Sequence, residues 1–247
     1  MARFDNQTVL VTGGTSGIGL ATAKRILAEG GTVIATGSRQ QSLDKAAPEL
    51  PGATLIRNDA GDTASPDALA AAVEAAGPLD AVFLNAGAGR FQPLPEITAD
   101  EIDAQFNVMV RGPLLQAKAL APLIKDGGSI VLTTSVVNAM GLPDSAVYTG
   151  TKGAGRAIVR VLAREFAPRG IRVNAVSPGP ISTGFFERTG MDEATANALG
   201  EFILSKVPLG RFGEADEVAA VAAFLLSREA SFVSGSEYVV DGAMSAV

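Results

Sequence analysis

The chain has 247 residues, 47% of them hydrophobic, with a formal net charge of −6, no cysteine and no histidine. These absences exclude disulfides, Cys/His metal sites and any Ser-His-Asp or Cys-His nucleophile, so acid–base chemistry near neutrality falls to tyrosine, lysine or carboxylates, and no metal is expected. The acidic balance without a basic cluster argues against nucleic acid or an anionic membrane as partner, and the longest apolar stretch, 218–226, is too short to span a bilayer.

The opening Met1-Ala2-Arg3-Phe4-Asp5-Asn6 runs into a β-rich segment with no apolar signal region, so a cytoplasmic protein is expected. A first strand is predicted over 8–11. It feeds the turn Thr12-Gly13-Gly14-Thr15-Ser16-Gly17-Ile18-Gly19, and an amphipathic helix is predicted over 18–29. Strand, glycine turn and helix N-terminus come in the order a dinucleotide site needs. Glycines let the backbone approach a pyrophosphate, and the first helical amides meet its charge. The spacing is T-G-x-x-x-G-x-G, which differs from the G-x-G-x-x-G fingerprint.

Strands at 32–36, 54–57 and 81–84 are separated by helices at 41–49 and 66–76, with Ser65 as N-cap and Pro66 in the first turn of the second helix. One long helix is predicted over 99–123. The run Ile130-Val131-Leu132-Thr133-Thr134 belongs to a buried strand over 129–133, which delivers Ser135 to the carboxyl edge of the sheet, where open α/β folds bind ligands. A helix over 146–166 then carries Tyr148 and Lys152 at i and i+4, on one face. A free phenol titrates near pH ~10. A neighbouring ammonium favours its phenolate, which lowers that value and suits the group to general acid–base work. A strand over 172–176, an irregular stretch around 180–207 read as a substrate loop or lid, a helix over 216–226 and a strand over 237–240 complete the chain. The alternation predicts one α/β domain over 1–247, a doubly wound, Rossmann-like parallel sheet with helices on both faces.

With these residues in place, the chain resembles the short-chain dehydrogenase/reductase family over nearly its whole length. Besides the glycine turn and Tyr148/Lys152, the match includes Asp59-Ala60, Asn85-Ala86-Gly87, Asn107, and Pro178-Gly179-Pro180-Ile181-Ser182-Thr183, in order. The resemblance implies a catalytic set of Asn107, Ser135, Tyr148 and Lys152. Ser135 would orient a carbonyl oxygen, and Tyr148 would supply its proton. Lys152 would bind the nicotinamide ribose and depress the Tyr148 pKa, and Asn107 would hold a water linking Lys152 to solvent. It further implies a cofactor held at Gly13, Thr15, Ser16, Gly17, Ile18 and Gly19, with Asp59 and Ala60 on adenine. Asn85, Ala86 and Gly87 would steady the sheet beside it, and Pro178, Gly179, Ile181 and Thr183 would hold the carboxamide. The substrate pocket is expected to involve Val137, Asn138, Leu142, Phe185 and Phe186, with Arg90 and Phe91.

The implied activity is hydride transfer between a nicotinamide cofactor and a small-molecule ketone or secondary alcohol. The acid that marks an NAD site falls on Gly37, and Ser38 and Arg39 suit a 2′-phosphate, so NADP is expected in preference to NAD. One alternative is a 3-oxoacyl-[acyl-carrier-protein] reductase. The basic patch such a partner requires is thin here: Lys125 is followed by Asp126, which leaves Arg164 and Arg169. A non-catalytic dinucleotide sensor would need no tetrad. The resemblance also implies a homotetramer, paired through the long helices and the C-terminal strand.

Overall fold

The computed structural model describes residues 2–184 and 193–246, so Phe185 and Phe186 lie outside the described residues. The sheet is built from β1 (Thr8–Thr12), β2 (Thr32–Gly37), β3 (Thr54–Arg57), β4 (Leu79–Leu84), β5 (Ile124–Thr133), β6 (Arg172–Pro178) and β9 (Glu237–Val240), while the short strands β7 (Ile181–Ser182) and β8 (Gly213–Glu214) pair with each other. The seven strands are parallel, in the order β3-β2-β1-β4-β5-β6-β9.

A parallel sheet is covered on both faces, so its strands read as continuous apolar runs rather than alternating ones. Val9, Val11, Val33, Phe83 and Val131 point to one face, under α1 (Gly17–Ala28) and α8 (Ala215–Leu226). Leu10, Ile34, Val82, Ile130 and Val173 point to the other, under α3 (Ser65–Glu74), α5 (Gly112–Leu120) and α6 (Ala146–Phe166). Each fully buried Val, Leu or Phe here contributes roughly 1.5–3 kcal/mol of burial. The apolar run 218–226 belongs to this interior: Val218, Ala219, Ala222 and Leu225 are wholly buried. Among the described residues, no helix is long and apolar enough to cross a membrane.

The predicted helix over 99–123 is broken. It forms α4 (Ala99–Phe106), a π-helical turn Asn107–Arg111, α5, and a 3-10 turn Ala121–Leu123. Two residues account for the break at its centre. Pro113 has no N–H to return to the carbonyl four residues back. At Gly112 the backbone lies so close to Ala60 that an added Cβ would overlap the Ala60 carbonyl oxygen. The second predicted helix stops early for a similar reason: α2 (Gln40–Ala46) gives way to a 3-10 turn, Ala47–Glu49, at Pro48. Ser65 is not the cap of α3. It is the first helical residue, Ala64 is the cap, and the Ser65 hydroxyl donates to the Asp59 carbonyl instead. Within the predicted lid region, α7 (Glu193–Leu204) supplies a helix.

The strand order reverses between β1 and β4, which opens a crevice at their carboxyl ends.

Candidate active site

That crevice is lined by backbone. Gly13 takes φ +63°, and a Cβ there would stand 2.9 Å from the Cα of Ala86; Gly17 takes φ +50°, with Thr183 3.2 Å from its Cβ position. Only glycine fits such positions without strain. Gly19 is buried behind the turn rather than on the wall, and a Cβ on it would overlap the Gly13 carbonyl. Ser16 caps α1 by position but gives its helix no side-chain hydrogen bond, and α1 has no acid in its first turn. The first amides of α1 are therefore left for an anion. Asn85 braces the turn: its Nδ2 donates to the carbonyls of Thr12 (3.3 Å) and Gly13 (3.4 Å), and its Oδ1 accepts from Thr133 Oγ1 at 2.9 Å.

The cradle opens into a cavity of about 850 Å3. Thr15, Ser16 and Ile18 line it at one end, followed by Ser38, Arg39, Asp59 and Ala60. Ala86, Gly87, Pro178, Gly179, Ile181 and Thr183 continue the same wall. The glycine cradle, the uncapped amides and the exposed Arg39 fit a phosphorylated dinucleotide. Gly37 has little room for a side chain, since its Cβ would stand 2.8 Å from Thr15 Cγ2 and 3.0 Å from Ser42 Oγ. Arg57, which sequence reasoning missed, pairs in register with Gly37, and its Nε donates to the Ser38 carbonyl at 3.3 Å. Only the parallel pairing of β2 with β3 brings this second guanidinium beside Ser38.

Ser135 lies two residues past the end of β5 and caps the 3-10 turn Val136–Ala139, with its Oγ 3.4 Å from the Pro178 carbonyl. Its side chain is hydrogen-bonded to the Tyr148 phenol. Lys152 is buried one turn along α6, with Nζ 5.6 Å from the centre of the Tyr148 ring and 2.9 Å from the Thr133 carbonyl, to which it donates. The Phe91 ring packs against Tyr148 at 5.5 Å. Asn107 opens the π-helical turn and is not on the cavity wall, which its neighbours Val108 and Met109 reach.

The pKa values correct one expectation. Burial pushes Tyr148 up to about 12, against the Ser135 hydrogen bond, which pulls it down. Burial also brings Lys152 down to about 8. Desolvation thus sets the direction at Tyr148, which is opposite to the expected lowering by Lys152, and the phenol keeps its proton at pH 7.

The shift at Lys152 carries a stability consequence. Its folded pKa lies below its unfolded one, so the cost of burying the charge is fully present below about pH 8 and is lifted as pH climbs toward 10.5. Lys152→Met should therefore raise stability by ~2 kcal/mol at pH 7, the lost Thr133 bond being allowed for. That gain should vanish above pH ~10.5. Urea unfolding at pH 7 and at pH 10.5 checks it, and a variant less stable than the unmodified chain at pH 7 would contradict it.

Val137 and Leu142 lie on the wall as expected, with Phe91. Asn138 does not: its Nδ2 donates to Glu237 Oε1 at 2.7 Å. Arg90 is engaged with Glu101 at 3.0 Å and is also off the wall. Phe202, Ile203 and Lys206, which fall within the stretch read as a substrate loop or lid, also line the cavity, and Met140 and Met244 do so without having been foreseen. No local pattern marks Met140 and Met244, which come from the end of the 3-10 turn after Ser135 and from the segment beyond β9.

The family model described as Enoyl-(Acyl carrier protein) reductase matches residues 13–245. The chain is 38% identical over 253 residues to the oxidoreductase asL5 of Sarocladium schorii, covering 99% of this chain and 98% of that protein. It is 35% identical over 248 residues to the cyclic-di-GMP-binding biofilm dispersal mediator protein of Escherichia coli (strain K12), covering 100% of both. Among solved structures it is similar to the short-chain dehydrogenase/reductase SDR:glucose/ribitol dehydrogenase from Brucella melitensis, with a TM-score of 0.90 and 32% identity over 98% of each chain.

Proposed function

The chain belongs to the short-chain dehydrogenase/reductase family of oxidoreductases, and from that premise we propose that it moves a hydride between NADP(H) and a small free ketone or its secondary alcohol, with Tyr148 as proton donor. The observation that carries this reading is one continuous cavity that has the glycine cradle at one end and Ser135, Tyr148 and Lys152 beside it.

A bound nicotinamide supplies the hydride. Ser135 and Tyr148 together orient the carbonyl oxygen, and Ser135 stabilises negative charge as it develops there. Tyr148, neutral at pH 7, gives its phenolic proton to that oxygen. Lys152, held one turn away, stabilises the phenolate left behind, and Asn107 is assigned the water that reconnects this pair to solvent. The residues of the cradle would hold the pyrophosphate on the first amides of α1. Asp59 and Ala60 would meet adenine, and Pro178, Gly179, Ile181 and Thr183 would meet the carboxamide.

The pH profile tests Lys152. The kcat/KM for NADPH reports groups of the free protein. It should be flat below about pH 8 and fall above it as Lys152 loses its proton. In Lys152→Arg, whatever activity is left should lack that fall; a fall in the same place would remove Lys152 from the assignment.

Two features support a free ketone over a carrier-bound thioester. Lys125 is paired with Asp80 (2.8 Å), a partner other than the expected Asp126. Arg169 is paired with Asp126 (2.8 Å) and also donates to the carbonyls of Ala121 and Ile124. Two of the three cations of the expected docking patch are thus occupied within the chain, and Arg164 stands exposed on α6. The relative that binds cyclic di-GMP favours a second reading, a nucleotide-binding mediator without turnover. Absorbance at 340 nm with NADPH and a panel of aliphatic and aryl ketones separates the two: steady loss of signal supports the reductase, and binding without turnover across the panel supports the mediator. A homotetramer is part of the proposal, supported by the exposed Val161, Phe232 and Val239 on α6 and around β9. Light scattering at micromolar concentration checks it.

A further inference from the structure

We propose that Glu237 is a positioning residue for this reaction: one carboxylate clamps the turn that carries Ser135 and ties it to the helix that carries Tyr148 and Lys152. The inference rests on the roles proposed above for Ser135 and Tyr148.

Glu237 opens β9, roughly a hundred residues beyond the turn and outside every motif that the family resemblance uses. Its Oε1 accepts from Thr134 Oγ1 at 2.6 Å and from Asn138 Nδ2 at 2.7 Å. Its Oε2 lies 3.1 Å from Arg156 Nε. Thr134 is the residue before Ser135, and the Asn138 amide closes the turn by donating to the Ser135 carbonyl at 3.1 Å. Arg156 stands one helical turn beyond Lys152 on α6. Both ends of the Ser135 turn and the helix of Tyr148 thus meet on a single side chain that is only 12% exposed.

The choice of partner is chemical. The Thr134 hydroxyl has one proton and two acceptors, Glu237 at 2.6 Å and the Val176 carbonyl at 3.1 Å, and the charged, closer oxygen takes it. Short charge-assisted bonds in a buried setting hold geometry more stiffly than exposed ones. Stiffness matters at this place, because displacing a reacting group by about 1 Å costs as much as ~10²-fold in rate.

The test needs a signal from Tyr148 itself. The chain has two tyrosines and no tryptophan, so in a Tyr238→Phe background Tyr148 is the only tyrosine, and 13Cζ-tyrosine labelling gives one NMR resonance. Ser135→Ala should move that resonance by removing the hydrogen bond to the phenol. Glu237→Gln, which keeps size and loses charge, should move it in the same direction. It should also lower kcat for the best ketone of the panel about tenfold, with KM for NADPH within about twofold. In a Ser135→Ala background, Glu237→Gln should cost less than about twofold, since what it positions is gone.

A Glu237→Gln protein with an unmoved resonance and undiminished kcat overturns the proposal, as does a tenfold cost that persists without Ser135. Should Glu237→Gln fail to fold, Asn138→Ala removes one tie alone and is read in the same way, with a smaller shift expected. If Ser135→Ala leaves resonance and turnover unchanged, the reading of the site falls together with this proposal. A silent Glu237→Gln beside a damaged Ser135→Ala overturns the proposal alone.

Discussion

Tyr148→Phe is expected to lower turnover of the best ketone by ~10²–10⁴-fold, the range for loss of a general acid, while NADPH binding stays near that of the unmodified chain. The substitution keeps the ring that packs against Phe91 and removes only the phenolic oxygen. Because burial holds Tyr148 near 12, the unmodified phenol is fully protonated at pH 7 and ready to donate, so the loss should be equally large from pH 6 to pH 8. Stopped-flow reduction at saturating NADPH measures the effect on the chemical step, and fluorescence titration of NADPH measures binding. A variant that retained most of its turnover would remove Tyr148 from the centre of the mechanism. Parallel loss of binding would mean that the tyrosine acts on the cofactor instead.

The second large effect expected is cofactor preference: kcat/KM with NADPH should exceed that with NADH by at least tenfold. Arg39 lines the cavity beside Ser38, and Arg57 reaches the Ser38 carbonyl from β3. A hydrogen bond to a charged group is worth roughly 1.5–3 kcal/mol, so Arg39→Ala should cost NADPH on the order of tenfold to a hundredfold and leave NADH nearly unchanged. Arg57→Ala should cost less, since part of its guanidinium is already committed to the Ser38 carbonyl. The obvious reversal, Gly37→Asp, is a poor instrument, because even its Cβ crowds Thr15 and Ser42. Ser38→Asp places the acid at an exposed position of the wall and should move preference toward NADH. Equal or better efficiency of the unmodified chain with NADH would sink the assignment of both arginines.

Much of this molecule was legible before it was seen folded, for reasons tied to local chemistry. The glycine turn reads directly because only glycine takes the φ of Gly13 and Gly17 while leaving the backbone bare. Tyr148 and Lys152 read as a pair because a helix places i and i+4 side by side. The strands read because a sheet covered on both faces needs continuous apolar runs, and the strand predicted over 54–57 coincides with β3. Pro48 and Pro113 stood in plain sight, yet the breaks they produce were not anticipated. A proline terminates or only bends a helix according to what packs against it, and Gly112 against Ala60 is a contact between distant parts of the chain.

What the sequence by itself determined is the strand–helix alternation, the glycine turn after β1 and the placing of Tyr148 and Lys152 on one helix face. Those depend on backbone conformation and spacing within a few residues. Tertiary structure alone decided the electrostatic state of the site and its surroundings. Tyr148 was expected to be lowered by its lysine and is raised by burial, because desolvation depends on everything that packs around the phenol, not on its neighbour one turn away. Asn138 was expected on the substrate wall and turns to Glu237, and Arg57 joins Ser38 through strand pairing. In each case the deciding partner lies far along the chain, and a hydrogen bond across such a separation leaves no periodicity or motif to read.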